Sequence, residues 1–297
     1  MNFLVIGHSV VDKIIEKERY STKPGGIFYT VISLLSRMEQ ADKIYLCSNI
    51  DDDHAELFKI AYDRVENEFI QNVISIPHVE LLVNESGERN EIYSGIPENL
   101  ILPEKDLDHF DGIIINMITG YDISLSQLKE LRKNYNGVIY FDVHTLSRGI
   151  DKNLERNFSQ IMNFNEWAKC VDILQANESE LQTLSNKGDE FEIVRELFSY
   201  GIKQIVVTRS DKGATVFYKD LNSISYVYRK ALQLNAINKV GCGDVFGAVY
   251  FYNCIKNQKI HLALEQAILY AGISTTYSEV KELLKLKKDA HERINKK

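Results

Sequence analysis

The sequence predicts an α/β protein: a mostly parallel sheet covered by helices, with a small β-flap laid over the carboxyl ends of its strands. Three observations predict it. Strand-like and helix-like patterns alternate for most of the 297 residues, the arrangement in which helices connect parallel strands. The strand-like runs are short and nearly all apolar, as strands buried on both faces are. Two polar, extended-looking segments interrupt the rhythm and supply the flap.

Phe3-Leu4-Val5-Ile6, ended by Gly7, is the first strand. Lys13 to Thr22 is the first polar segment. Val31, Leu34, Leu35 and Met38 then repeat at helical spacing and give the first helix. Lys43-Ile44-Tyr45-Leu46 is the next strand, and Asp51-Asp52-Asp53 starts a helix running through Ile60. Acids are favoured in a first helical turn, which explains the three carboxylates without a metal. His78 to Asn84 and Glu88 to Tyr93 flank the hairpin signal Glu85-Ser86-Gly87. With the first polar segment they form a flap of about residues 13–22 and 78–94, of the kind that closes on a substrate. Gly112-Ile113-Ile114-Ile115, Val138-Ile139-Tyr140-Phe141, Val171-Asp172-Ile173-Leu174 and Gln204-Ile205-Val206-Val207 are further buried strands. Ala214 to Tyr218 and Ser223 to Tyr228, joined through Asp220-Leu221-Asn222, make an antiparallel edge. No internal repeat or long linker divides the chain, so residues 1–297 read as one domain.

Composition narrows the function. The chain is 44% hydrophobic and 26% charged, as in soluble globular proteins. No apolar run approaches the ~20 residues that span a bilayer, and the first seven residues lack the basic start of a signal peptide. A cytoplasmic location and no membrane partner are expected. A net charge of −7 argues against nucleic acid, whose binding needs clustered Lys and Arg. Lys281 to Lys297 is basic, but Val280, Leu283 and Leu284 mark it as a helix with one apolar stripe. The four cysteines form no C-x-x-C pair and the seven histidines no H-x-x-x-H pair, so reduced thiols and an oxygen-bound metal are the expectation.

Gly241-Cys242-Gly243-Asp244 opens the apolar run Val245 to Phe251. Glycines let backbone N–H groups crowd around a ligand, and the start of a helix points unpaired donors at the same space, which suits phosphate. A carboxylate repels phosphate, so Asp244 there needs a reason; removing a proton from an attacking hydroxyl is one. Helix capping by Asp244 after a tight turn is the other. Gly7-His8-Ser9-Val10-Val11-Asp12 puts an acid just past the first strand, at the sheet edge where ligands bind. Gly25-Gly26 opens the first helix and lets backbone approach a small polyol. Asn177 and Glu180 fall on one side of a helix start and suit Mg²⁺ or its waters. Thr208-Arg209-Ser210-Asp211-Lys212-Gly213 follows another strand and suits contact with a nucleotide.

From Phe3 to about Thr276, these motifs in this order resemble the ribokinase-like (pfkB-type) carbohydrate kinase family. The resemblance implies a three-layer α/β/α sandwich with a mostly parallel central sheet and a small β-sheet lid. It makes Gly241, Cys242 and Gly243 the anion hole and Asp244 the catalytic base, as in the family's Gly-Ala-Gly-Asp segment. Asp12 takes the place of the acid that binds substrate hydroxyls, and Gly25-Gly26 that of the di-glycine at the sugar site. Thr30 and Arg89 fall on the acceptor side. Asn177 and Glu180 look like the N-x-x-E motif that manages Mg²⁺ and phosphate, Glu180 acting through water. Thr208, Ser210, Lys212, Gly213 and Lys239 fall on the nucleotide side. Ser48-Asn49-Ile50-Asp51-Asp52 is a loose match to the family's Gly-x-x-Gly-Asp-Asp stretch. Asn238-Lys239 stands where the family commonly has Asp-Thr, which puts a monovalent cation in question. Thr30 replaces a usual Asn, Ser210 a usual Gly, and Cys242 an Ala.

The implied activity is transfer of the γ-phosphoryl group of ATP to a hydroxyl of a small sugar. A helix N-terminus supplies only ~0.3–2 kcal/mol against a triphosphate, so Mg²⁺ must carry most of the neutralisation, with Lys212 or Lys239 as helpers. Phe28 and Tyr29 follow the di-glycine and suit stacking on a base, which keeps a nucleoside acceptor open beside plain core packing. Only Arg89 is available to bind a second phosphate on the acceptor. A diverged, non-catalytic sugar or nucleotide sensor is the reading from another class, and retention of Asp244 with both glycines speaks against it. Lid edges that pair between subunits in this family imply a homodimer.

Overall fold

The computed structural model describes residues 1–16, 19–83, 89–150, 155–220 and 223–294. Along the chain run β1 (Asn2–Ile6), β2 (Ser9–Glu16), β3 (Arg19–Gly26), α1 (Phe28–Arg37), β4 (Lys43–Ile50), α2 (Ala55–Tyr62), β5 (Ile70–Asn72), β6 (His78–Val83) and β7 (Arg89–Tyr93). Then come β8 (Gly112–Asn116), α3 (Leu125–Asn134), β9 (Val138–Asp142), β10 (Arg148–Ile150), β11 (Arg156–Phe158), α4 (Phe164–Ala168), β12 (Ile173–Asn177), α5 (Glu178–Gln182) and α6 (Glu190–Ser199). The last third holds β13 (Gln204–Thr208), β14 (Ala214–Asp220), β15 (Ser223–Arg229), α7 (Cys242–Ile255), α8 (Ile260–Ser274) and α9 (Leu286–Ile294).

Nine strands make one sheet in the order β15-β14-β13-β12-β9-β8-β1-β4-β5. The seven from β13 to β5 are parallel, and β14 and β15 return antiparallel at one edge. Alternate residues of each central strand enter opposite cores, because a strand's side chains alternate in direction. Phe3, Val5, Ile114 and Tyr140 pack toward α1, α7 and α8. Leu4, Ile6, Ile113, Ile115, Ile139 and Phe141 pack toward α3, α4 and α6. The three layers expected from the family resemblance are therefore present.

Helix α7 is buried on all sides from Asp244 to Asn253, and side chains such as Phe246, Val249 and Phe251 each contribute on the order of 1.5–3 kcal/mol. That burial fixes the N-terminus of α7 against the sheet. At the other end of the chain, Leu283 and Leu286 turn the expected apolar stripe into the first core.

The flap is a separate four-stranded sheet in the order β3-β2-β6-β7. It is longer than the sequence reading gave it: β2 pairs with β3 from Ser9 opposite Gly26 to Glu16 opposite Arg19, so Asp12 belongs to the lid itself. The apolar pair Val10 and Val11 is what extends the strand backward, since both are buried under the lid. The turn Glu85-Ser86-Gly87, and Leu221-Asn222 between β14 and β15, lie outside the described residues.

Two other boundaries move for reasons of hydrogen bonding. Asp51 does not begin a helix; its carboxylate accepts from the N–H groups of His54 (2.9 Å) and Ile76 (2.8 Å), and α2 starts only at Ala55. The strand read at Val171 to Leu174 runs instead from Ile173 to Asn177. Asp172, just before it, accepts from the Ile139 N–H (2.9 Å) and pairs with Arg132 (3.0 Å) and Lys203 (2.8 Å). The short hairpin β10–β11 has no counterpart in the sequence reading.

Asp122 ties the start of the lid to the sheet. It is fully buried and accepts from the N–H groups of His8 (2.7 Å), Thr119 (2.9 Å) and Gly120 (3.1 Å). Burial alone would raise its pKa, but the charge and hydrogen bonds of His8 and the Thr119 N–H outweigh it and hold the carboxyl below its ordinary value. Its contribution to stability is therefore present above about pH 4 and is lost as the pH falls through the depressed value. Asp122→Ala, which leaves those donors unpaired, should cost about 2–4 kcal/mol in urea denaturation at pH 7, and the parent's lead over the variant should shrink below about pH 4.

Candidate active site

The site lies where the carboxyl ends of the parallel strands meet the N-terminus of α7, with the lid above. A cavity of about 120 Å³ sits there. Asp12 from β2, Gly26 from β3, and Gly241 and Asp244 at the start of α7 line it together. The structure thus brings together residues from opposite ends of the chain that the sequence marked. Val10, Val79, Ile118, Tyr93 and Val240 give the cavity apolar walls, and Tyr29 and His144 complete it.

The paired glycines have a steric reason. A Cβ on Gly25 would run into the Asp12 carboxylate, so the acid can hold its place only over a residue with no side chain. Gly26 has φ +63°, and a Cβ there would meet the His8 carbonyl. Gly241 likewise has φ +75° and faces the Tyr29 ring closely, so the α7 turn and the first helix fit only because it lacks a side chain.

Asp244 is buried in the first turn of α7, where the helix dipole favours an anion. The Asn116 amide, at the end of β8, donates to its Oδ1 at 2.6 Å. Burial pushes the Asp244 carboxyl above its ordinary value; the charge of His144, the Asn116 hydrogen bond and its own N–H oppose that rise without cancelling it. Thr30 lies one layer behind, fully buried, its hydroxyl accepting from the same Asn116 amide at 3.3 Å. It touches the residue that holds the acid and does not line the cavity.

A second buried acid, Asp142 at the end of β9, stands nearby. It accepts from the Gln175 amide (2.7 Å) and the His144 N–H (3.2 Å). Burial, followed by the charges of Glu180 and Asp244, pushes its pKa well above the ordinary carboxylate range. Gln175 also donates to the Gly243 carbonyl at 3.3 Å, linking this acid to the glycine turn.

Asn177 and Glu180 form a reciprocal cap at the start of α5. Asn177 accepts from the Glu180 N–H (2.9 Å), and Glu180 accepts from the Asn177 N–H (2.8 Å). Both sit at the carboxyl edge, and Glu180 lies near enough to Asp142 to raise its pKa. In the glycine turn the Cys242 N–H bonds to the Lys239 carbonyl at 3.3 Å, and the Cβ direction of Gly243 points into open space. Among the described residues, no group of three or more His, Cys, Asp or Glu side chains is arranged to hold a metal ion.

Thr208 ends β13, and the loop after it is braced by Arg209, which pairs with Glu178 (2.8 Å) and Glu190 (2.6 Å). Ser210 (φ +51°) and Gly213 (φ +113°) shape the turn, leaving Lys212 exposed at its tip. Lys239 is exposed before α7. Arg89 lies at the far end of β7, opposite Val83. Ser48 and Asn49 hold Ser9, the first residue of the lid, through its N–H at 3.0 and 2.9 Å.

Asn116, Asp142, His144, Tyr29 and Tyr93 belong to the site but were not singled out as such by the sequence, apart from Tyr29 as a stacking candidate. The signal was present for the first three: Asn116 and Asp142 each end an apolar strand run and His144 comes two residues after the second, and in a parallel sheet those positions converge.

Residues 145–286 match the model of the pfkB family carbohydrate kinases. The deoxyribokinase of Salmonella typhi is 29% identical over 113 residues, 36% of this chain and 35% of that protein, so the match spans about a third of the relative's length. Over the whole chain the fold is similar to solved structures. Arabidopsis thaliana ribokinase complexed with ribose and ATP superposes with a TM-score of 0.76 at 16% identity, covering 98% of this chain and 97% of that one. A putative ribokinase II from E. coli, in complex with ATP and Mg²⁺, gives 0.74 at 17% identity over 98% and 99%. At such identities the likeness is one of fold.

Gly25→Ala should destabilise the protein by about 1–3 kcal/mol, because the new methyl must displace a carboxylate. Adding Asp12→Gly should recover most of that loss, a non-additivity that denaturant melts of the single and double variants will measure.

Proposed function

Because the chain belongs to the ribokinase-like, pfkB-type carbohydrate kinase family, we propose that it transfers the γ-phosphoryl group of Mg-ATP to a hydroxyl of a small sugar. The observation that carries this reading is the placement of Asp244: a buried carboxylate, held by Asn116, in the first turn of a helix that opens with two glycines, lining one cavity with Asp12. An acid so placed meets an acceptor hydroxyl on one side and an anion-binding turn on the other.

In this account Asp12 binds hydroxyls of the acceptor and sets its reach, with Gly25 and Gly26 leaving room for it. Asp244 accepts the proton of the attacking hydroxyl as the new P–O bond forms, and ADP leaves with the electron pair of the broken bond. The Gly241 and Gly243 N–H groups face the transferring group, with Cys242 contributing backbone only in part, since its N–H already bonds to Lys239. Asn177 and Glu180 would hold Mg²⁺ through water, and the ion when bound would neutralise the phosphate charge. Thr208, Ser210, Lys212, Gly213 and Lys239 form the nucleotide side. The small cavity of about 120 Å³, with Asp12 and Asp244 as its acids, supports a sugar over a nucleoside as acceptor. Pairing of two lids through their edge strands, giving a homodimer, belongs to the same proposal.

A coupled ADP-release assay with Mg-ATP over a panel of sugars and nucleosides tests it, with release expected for a sugar. Release with nucleosides alone, or with nothing in the panel, contradicts it. Asp244→Asn should lower kcat about 10²–10⁴-fold with nucleotide binding kept, as a general base of ordinary effectiveness requires. Asp12→Ala should chiefly raise the KM for the acceptor. Since the base must be ionised and burial raises its pKa, kcat should fall as the pH drops, with its acid limb above about pH 4.

A further inference from the structure

We propose that His144 is a positioning residue for Asp244, the cationic partner that the fold presents to the acceptor cavity. This inference rests on the kinase reading for its catalytic meaning but not for its physical content. Among the described residues lining the cavity, His144 is the only one able to carry a positive charge, and it shares that lining with Asp12 and Asp244.

Its placement is built. His144 follows β9 and has φ +36°, in the left-handed region that a side chain rarely adopts. Such a conformation costs on the order of 1–3 kcal/mol and persists only when surrounding bonds hold it. Three do so here. The His144 N–H donates to Asp142 at 3.2 Å, its carbonyl accepts from Ser147 at 2.7 Å, and its Nδ1 pairs with the Thr145 hydroxyl at 2.6 Å. With Nδ1 engaged, Nε2 is the ring nitrogen left for the cavity side.

The electrostatic surroundings show why a cation is useful there. Burial raises the pKa of Asp244; that of Asp142 beside it is raised by burial and then by the charges of Glu180 and Asp244, and Asp12 faces the same cavity. Asn116 offers one neutral hydrogen bond. After burial itself, the charge of His144 has the largest influence on Asp244, and it acts to keep the carboxyl ionised. Lys212 and Lys239 are exposed to solvent, where screening weakens their reach.

His144→Asn is the test, because Asn tolerates the left-handed turn while dropping the charge. In protein labelled with ¹³C at aspartate carboxyls, without substrate, the Asp244 resonance is assigned by its loss in Asp244→Asn and titrated. In His144→Asn its midpoint should rise by about one pH unit, a shift typical of a nearby opposite charge. His144→Lys should keep the parent midpoint. With a sugar that supports turnover, His144→Asn should lower kcat about tenfold on the acid limb, little at high pH, and leave both KM values unchanged. An unmoved Asp244 midpoint in a His144→Asn protein that melts like the parent overturns the proposal. So does a change confined to the acceptor KM, which would make His144 a substrate contact. If the midpoint moves but nothing is phosphorylated, the pairing stands and the kinase reading fails.

Discussion

Negative charge is concentrated at the carboxyl edge of the sheet, and the architecture of the site follows from keeping that charge tolerable. Asp12, Asp142, Glu180 and Asp244 converge there from the lid, β9, α5 and α7, all of them buried. Each has its own device. Asp244 sits on a helix N-terminus and accepts from Asn116, Asp142 is held by Gln175, and Glu180 caps α5 together with Asn177. Even so, burial leaves both Asp142 and Asp244 with raised pKa values, and the charges of Glu180 and Asp244 raise Asp142 further. A carboxylate that binds a proton more readily than usual is a better base for a hydroxyl, so the same cost that strains the site serves the proposed chemistry.

The lid is coupled to this edge by backbone fit. Its first strand begins at Ser9, gripped by Ser48 and Asn49, and the preceding His8 is gripped by Asp122. Asp12 comes three residues after Ser9 on the strand, with Gly25 making room for its carboxylate on the paired strand. Asp12 is thus positioned relative to Asp244 through short, buried links, although 232 residues separate the two in sequence.

Much of this was legible in the chain. The apolar runs at Phe3–Ile6, Ile113–Ile115 and Ile139–Phe141 carry no competing pattern, so their strands and the parallel sheet could be read directly. The glycine turn before Asp244 and the paired glycines at Gly25 stood out because such residues are unfavourable unless backbone must approach something. What could not be read were roles set by long-range contact. Thr30 looked like an acceptor contact, and only its depth shows that it reaches Asn116. Asn177 and Glu180 satisfy a helix cap as completely as they suit a metal's waters, and spacing alone does not separate the two. His144 and Asn116 lie at the ends of different strands and become neighbours of Asp244 only when the sheet is assembled. The lid boundary shifted because Val10 and Val11 resemble any buried strand, and nothing local says that they leave the main sheet.

The central claim is that Asp244 faces a reacting hydroxyl. A crystal structure with the preferred sugar, Mg²⁺ and a non-hydrolysable ATP analogue tests it most directly. The account predicts one sugar hydroxyl within about 2.6–3.2 Å of the Asp244 carboxylate, another on Asp12, and the terminal phosphate beside the Gly243 N–H. A sugar bound outside the cavity between Asp12 and Asp244, or one that offers Asp244 no hydroxyl, would contradict it.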